Sequence, residues 1–153
     1  KSIIAGYRTD QPWDSPHNRQ FIEMMPTIFQ LAERRNNAPP GYTFYRVFVT
    51  PREAAGPTSA FREGLPALKL DDYIDGTSNT ILIVEAAEPV VWTDPTELTF
   101  TNSGPLPKLG GHFQDVFLSA NADGSARPRR VDTPESELRA RLTANGRERV
   151  QGD

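Results

Sequence analysis

Fourteen prolines and eleven glycines are scattered along these 153 residues, and they limit the fold more than any other feature. Proline fixes φ and removes a backbone donor, and glycine marks turns, so the spacing predicts short elements joined by many ordered turns. A chain of this length still fits one domain, residues 1–153, with a real buried core. No apolar run reaches the length of a membrane span, and no signal-peptide pattern occurs. The chain opens at Lys1 without a methionine, which fits a processed or truncated product with a leader or membrane helix upstream.

The net charge of −3 gives no general argument for a nucleic-acid partner. The basic run Arg127, Arg129, Arg130 is followed by Asp132, Glu135 and Glu137, which reads as local compensation. The chain has no cysteine, which excludes a disulfide framework and a thiolate metal site. That is compatible with either side of a membrane.

Ser15-Pro16 has helix-start grammar, a hydroxyl cap followed by proline in the first turn. Phe21, Ile22 and Met25 would form the apolar side, and Pro26 would end or kink it. Ile28, Leu31 and Ala32 stand at helical spacing in TIFQLAERRNN, so a second turn or two is expected before the break at NNAPPG. YTFYRVFVT (Tyr42 to Thr50) is aromatic and β-branched and reads as one strand. TILIVEAA (Thr80 to Ala87) is apolar on both faces and reads as a central strand covered on both sides. VVWTDP continues it or pairs beside it. The stretches 51–68 and 96–111 have loop character.

Asp123-Gly124 is a hairpin-turn signal of the kind with positive φ at both positions. Val116, Leu118 and Ala120 alternate before it, and Pro128 confines the returning strand to an edge or a short length. Thr133-Pro134-Glu135 repeats the helix-start grammar, Leu138 and Leu142 stand one turn apart, and Asn145-Gly146 supplies a stop. The fold class is α+β: a small antiparallel sheet, helices near both ends, and long ordered loops.

Three stretches could carry chemistry. His112 follows Gly110-Gly111 and precedes Asp123, so a histidine–aspartate site is one reading. A histidine that bonds a loop carbonyl at the sheet edge is the other. No G-x-S-x-G elbow or HExxH pairing supports the first. DDYIDGTSNT (Asp71 to Thr80) offers Asp71, Asp72 and Asp75 with Asn79 and two hydroxyls, oxygen ligands that suit calcium. Its spacing departs from the EF-hand, and Asp75-Gly76 with Ser78 and Asn79 also explains itself as a turn. Trp13 and Trp92 each lie near a carboxylate, either to hold a sugar or to pin a loop through the indole N–H.

DDYIDGTSNTILIVEAAEPVVWTDPTEL, then PLPKLGGHFQDVFLSANADGSARPRR, resembles the planctomycete DUF1559 family. The likeness extends to QPWDSPHNRQFIEMMP near the start and TPESELRARLTANGRERV at the end. Members typically carry a prepilin-type cleavage and methylation leader and a C-terminal element named for its H-X9-DG spacing. Asp75, Gly76, Thr77, Ser78, Asn79, Trp92, Gly110, Gly111, His112, Asp123 and Gly124 carry the signature. The resemblance implies a pilin-like or pseudopilin-like subunit of the cell envelope, with a periplasmic or extracellular α+β head and a hydrophobic N-terminal helix absent here.

Between His112 and Asp123 this chain has one residue more than the family pattern, which a loop or bulge must absorb. The leading expectation is therefore a non-enzymatic structural protein without cofactor, acting through other protein subunits. Nucleic acid is not an expected partner, and membrane contact would run only through the missing helix. The rival readings are a glycan- or calcium-binding module using Trp13, Trp92 or the Asp71–Asp75 loop, and an accessory subunit of a larger envelope complex. The accessory reading expects an exposed apolar patch on the Phe113/Phe117 side of the hairpin.

Overall fold

The structure, a computed structural model, describes residues 3–31 and 38–148. Its elements are helix α1 (Ile3–Gly6), strands β1 (Tyr42–Arg46), β2 (Phe48–Thr50), β3 (Phe61–Arg62), β4 (Ile81–Val91), β5 (Leu98–Thr99), β6 (Val116–Asn121) and β7 (Ala126–Arg130), and helix α2 (Glu135–Leu142). The fold is α+β. A four-stranded antiparallel sheet runs β1-β4-β6-β7, and a small parallel sheet runs β3-β2-β5. Contacts group the chain into two compact units, Lys1–Tyr45 with Glu88–Thr96, and Arg46–Ala87 with Glu97–Asp153.

In the first unit Ser15-Pro16 opens a turn just ahead of the helical stretch, whose cap position is His17. Ser15 Oγ accepts the Asn18 N–H at 3.2 Å, and Ser15 O accepts that of Arg19 at 2.9 Å. The segment it opens is not an α-helix but a 3₁₀ stretch, Asn18–Met24, with a single further turn at Thr27–Phe29. Prolines on both sides leave too short a segment to offset helix nucleation. Phe21 and Leu31 are buried as expected, but Ile28 is 78% exposed and does not share an apolar side with Leu31. Ala32 and the Asn36-Asn37 part of the break lie outside the described residues. Asn18, fully buried, ties down the lead-in: Oδ1 accepts from Arg8 N, and Nδ2 donates to the carbonyls of Arg8, Gln11 and Pro12.

The expected single strand 42–50 breaks at Val47. Its N–H turns to the Glu97 carboxylate at 3.1 Å and its carbonyl accepts Leu98 N–H at 3.0 Å. β2 thereby leaves the line of β1 and pairs in parallel with β3 and β5, two short strands in stretches that read as loops. β4 lies inside the larger sheet and absorbs Val90 and Val91. It is not covered on both faces, because Ile83 is 40% exposed. The register slips at that point, Ile81 facing Asn121 and Ile83 facing Ala120, a bulge that leaves Leu82 extra.

In the hairpin the alternation predicted from Val116, Leu118 and Ala120 is inverted. Phe117, Ser119 and Asn121 are the buried set. The large Phe117 ring joins the core and draws the polar pair inward, where Arg129 satisfies it. Arg129 Nε donates to Ser119 Oγ at 2.9 Å, and Nη2 donates to Asn121 Oδ1 at 3.1 Å. Phe117 is 1% exposed, so it belongs to the core and adds nothing to an apolar patch on the Phe113/Phe117 side, where Phe113 is half-buried.

The core of the second unit gathers Phe48, Ile81, Val84, Ala86, Leu98, Phe100, Phe117 and Leu142. Phe48 and Phe100 meet edge to face at 6.4 Å, the arrangement that ring quadrupoles favour. α2 starts after Pro134 as expected but stops at Leu142 with Thr143 as its cap, ahead of Asn145-Gly146. The left-handed residue beyond it is Arg147, φ +61°. Leu142 has no exposed surface, and its truncation to alanine costs about 2–5 kcal/mol by analogy with other buried leucines.

Candidate functional site

Apart from Trp92, the signature residues fall into three places. The first is the turn 75–80. Asp75 commits its carboxylate to the far end of the chain: Oδ2 accepts the Gly146 N–H at 2.7 Å and Oδ1 accepts that of Arg147 at 2.6 Å. Gly76 adopts φ +89°, which explains the glycine. Its carbonyl accepts from both the N–H and the hydroxyl of Thr80, and Asn79 Nδ2 returns to Asp75 O. Thr77 O accepts Asp123 N–H and Ser78 O accepts Asn121 Nδ2, so the turn carries the hairpin tip.

The calcium candidates are not brought together. Asp71 is exposed, and Asp72 accepts the Lys69 N–H at 2.7 Å. Asp75 faces Gly146 and Arg147. Among the described residues no three His, Asp or Glu side chains form a group that could hold a metal ion.

The second place is the hairpin tip. Only Gly124 is left-handed, at φ +84°, so the turn is not the form with two positive φ values. Gly124 N–H bonds Asn121 O at 3.0 Å and Asn121 N–H bonds Ser125 O at 2.8 Å. Three residues thus make the loop, with a left-handed glycine at its end. Asp123 is exposed and receives the Ser125 hydroxyl and N–H at 2.6 and 2.9 Å. These two bonds hold its carboxyl below the usual range. Asp123 serves the turn, not His112.

The third place is the segment Lys108–His112. Gly110 N–H donates to Glu85 O at 2.9 Å and Ala87 N–H to Lys108 O at 3.1 Å, with Leu109 bridging Ala86. The segment lies beside β4 beyond Val84, where the register of β4 against β6 ends. Gly110 has no room for a side chain: a Cβ would stand 2.9 Å from Phe117 Cβ and 3.1 Å from Val116 O. With φ values of +68° and +108°, Gly110 and Gly111 let the chain bend here, and Asp115 is left-handed at +57°.

At this fork stands the glutamate of the VEA stretch (Val84 to Ala86), which is not among the candidate site residues. Glu85, on β4, is fully buried. Its Oε2 accepts the Leu118 N–H at 2.9 Å. Burial pushes the Glu85 carboxyl up, against the pull of the Leu118 N–H, the His112 charge and the His112 N–H. His112, half-buried, therefore does have a carboxylate neighbour, and it is Glu85. The available signal was a lone glutamate inside the apolar run TILIVEAA.

Trp92 pins a loop. Its Nε1–H is shared between Ile22 O at 2.9 Å and Phe21 O at 3.2 Å, and Phe29 stacks on the ring at 5.8 Å. Trp92 also borders a cavity of about 350 Å³ with Ile3, Tyr7, Thr9 and Thr93. Trp13 is half-buried in a separate turn. A second cavity of about 560 Å³ lies along Arg127–Arg130 and the start of α2. Local charge compensation holds there only in part. Arg130 is paired to Asp132 at 2.7 Å, but Arg129 turns inward, and Glu135 and Glu137 pair with Arg139 and Arg141 of their own helix.

Among the described residues no helix is long and apolar enough to cross a membrane. Comparison with protein-family models, with curated proteins and with solved structures gives no match to this chain.

Proposed function

We propose that this chain is a non-enzymatic contact module, the head of a pilin-like or pseudopilin-like cell-envelope subunit that acts by assembling with other protein subunits. The observation that carries this reading is where the signature residues direct their polar groups. Asp75 ties the turn to the C-terminal segment, Asp123 closes the hairpin, Trp92 pins the 3₁₀ stretch, and Gly110 fits against Phe117. Each is engaged in holding backbone, which leaves surface rather than a reactive centre as the working part. The resemblance of DGTSNT, VEA, W-T-x-P and the GGH…DG stretch to DUF1559 proteins supplies the envelope setting and an anchor helix.

Electron microscopy of the full-length gene product in envelope fractions tests the proposal. Repeating filaments or an ordered complex containing this head support it. A product that stays a monodisperse monomer, with its anchor intact and under assembly conditions, defeats it.

A further inference from the structure

Asn145-Gly146 is the only Asn-Gly pair in the chain. The backbone nitrogen that follows an asparagine can attack the amide carbon of that asparagine's side chain, and glycine, with no Cβ, leaves the approach unhindered. Asn145 is exposed to water. Both reacting groups are nevertheless held by distant partners. Gly146 donates its N–H to Asp75 Oδ2 at 2.7 Å, and Asn145 Oδ1 accepts the Thr58 N–H at 2.9 Å. On either side, Arg147 N–H bonds Asp75 Oδ1 at 2.6 Å and Ala144 N–H bonds Thr58 O at 2.9 Å.

These bonds oppose each requirement of the reaction. Attack needs the Gly146 nitrogen to give up its proton. The Asp75 carboxylate stabilises the N–H as a donor and disfavours a second negative charge beside it. Attack also needs the asparagine side chain to turn onto that nitrogen, and the Thr58 bond, with the backbone bonds around it, fixes both.

We propose that Asn145-Gly146 is a latent deamidation site that the clamp of Asp75 and Thr58 holds unreactive, and that reacts when the clamp opens. Water is the one co-reactant. The bond from Gly146 N to Asn145 Cγ forms, the Cγ–Nδ2 bond breaks, and ammonia leaves with the Gly146 proton. Water then opens the resulting succinimide to aspartate or isoaspartate. The succinimide nitrogen carries no hydrogen, so Asp75 Oδ2 loses its donor, and the isoaspartyl product lengthens the backbone by a methylene inside the clamp. An opening of the segment after α2 is thereby recorded as a permanent negative charge.

Mass spectrometry of the intact chain, incubated folded at neutral pH and then digested to resolve isoaspartate at Asn145, tests this. Asp75→Ala removes the carboxylate and should deamidate about tenfold or more faster than the parent, the scale of one charge-assisted hydrogen bond. Trp92→Phe removes a bond in the other unit and should stay at the parent rate. Asp75→Asn drops the charge but keeps an acceptor; it too should exceed the parent, and it decides the matter if Asp75→Ala does not fold. A folded parent that reacts as fast as the urea-unfolded chain overturns the proposal. So does a folded Asp75 variant no faster than the parent, or an equal rise in Trp92→Phe.

Discussion

Asp75 and Gly146, 71 positions apart, are joined by a 2.7 Å hydrogen bond from the glycine N–H to the aspartate Oδ2. The adjacent Arg147 N–H takes Oδ1 at 2.6 Å, and Asp75 N–H returns to Ala144 O. One carboxylate therefore anchors the segment after α2 to the turn before β4. Charge-assisted bonds of this kind contribute about 1.5–3 kcal/mol each. Asp75→Ala should lose about 2–4 kcal/mol in urea unfolding, allowing for partial solvation, and Asp75→Asn should lose less because one oxygen still accepts.

The same geometry sets an expectation for calcium. Asp75 is engaged by two backbone donors and Asp72 by Lys69 N–H, so the DDYID stretch presents no converging carboxylates. Millimolar calcium or EDTA should leave the melting temperature unchanged. A ligand that binds only the folded state must raise it, so a clear calcium-dependent rise would refute this expectation.

Trp92 should show its structural role in a conservative replacement. Trp92→Phe keeps a ring for Phe29 to stack on but removes the donor to Phe21 O and Ile22 O. Two carbonyls then share the loss, and the expected cost is about 1–2 kcal/mol. Chemical denaturation measures it. Glycan titration of the unsubstituted chain should show no binding at this ring.

The residues that made the fold class legible were those whose local chemistry has few outcomes. Pro128 announced an edge strand, Asp123-Gly124 a hairpin, and Pro134 a helix start; each is in place. The features that stayed illegible depended on tertiary choice. The hairpin buries Phe117, Ser119 and Asn121 rather than the apolar-looking alternate set, because one phenylalanine and a single arginine partner outweigh three smaller apolar residues. The break at Val47 answers Glu97, a partner fifty positions away. Glu85 was hidden by the strand that surrounds it. Its neighbour His112 was visible, but the sequence offered it Asp123 or a loop carbonyl as partner, and not Glu85.

Pro128 has a second consequence. The Asn121–Ser125 and Val131–Asp115 bonds put the odd-numbered β6 positions at hydrogen-bonded pairs, so Leu118 and Pro128 form a non-bonded pair. The proline nitrogen then faces the open edge of the sheet, where it removes an outward donor and blunts pairing with another strand. Pro128→Thr should leave the hairpin register intact and add that donor. Concentration-dependent association in light scattering is the expected result; a variant as monomeric as the parent would show that the proline is not what guards this edge.

Glu85 also sets a sign for global stability. Burial raises its carboxyl above the usual glutamate range in the folded chain, with smaller opposing contributions from Leu118 and His112. Between the unfolded and the folded values the native state binds more protons than the unfolded state, so stability falls with rising pH. The stabilising contribution is complete below the unfolded value and is lost as pH passes the raised one. Glu85→Gln keeps an acceptor for the Leu118 N–H and cannot ionise. Its stability relative to the parent should therefore rise as the solution goes from acid to neutral, with the two curves closest at the acid end. Urea unfolding across that range measures the gap, and a gap that does not change with pH would mean that Glu85 has the same proton affinity folded and unfolded.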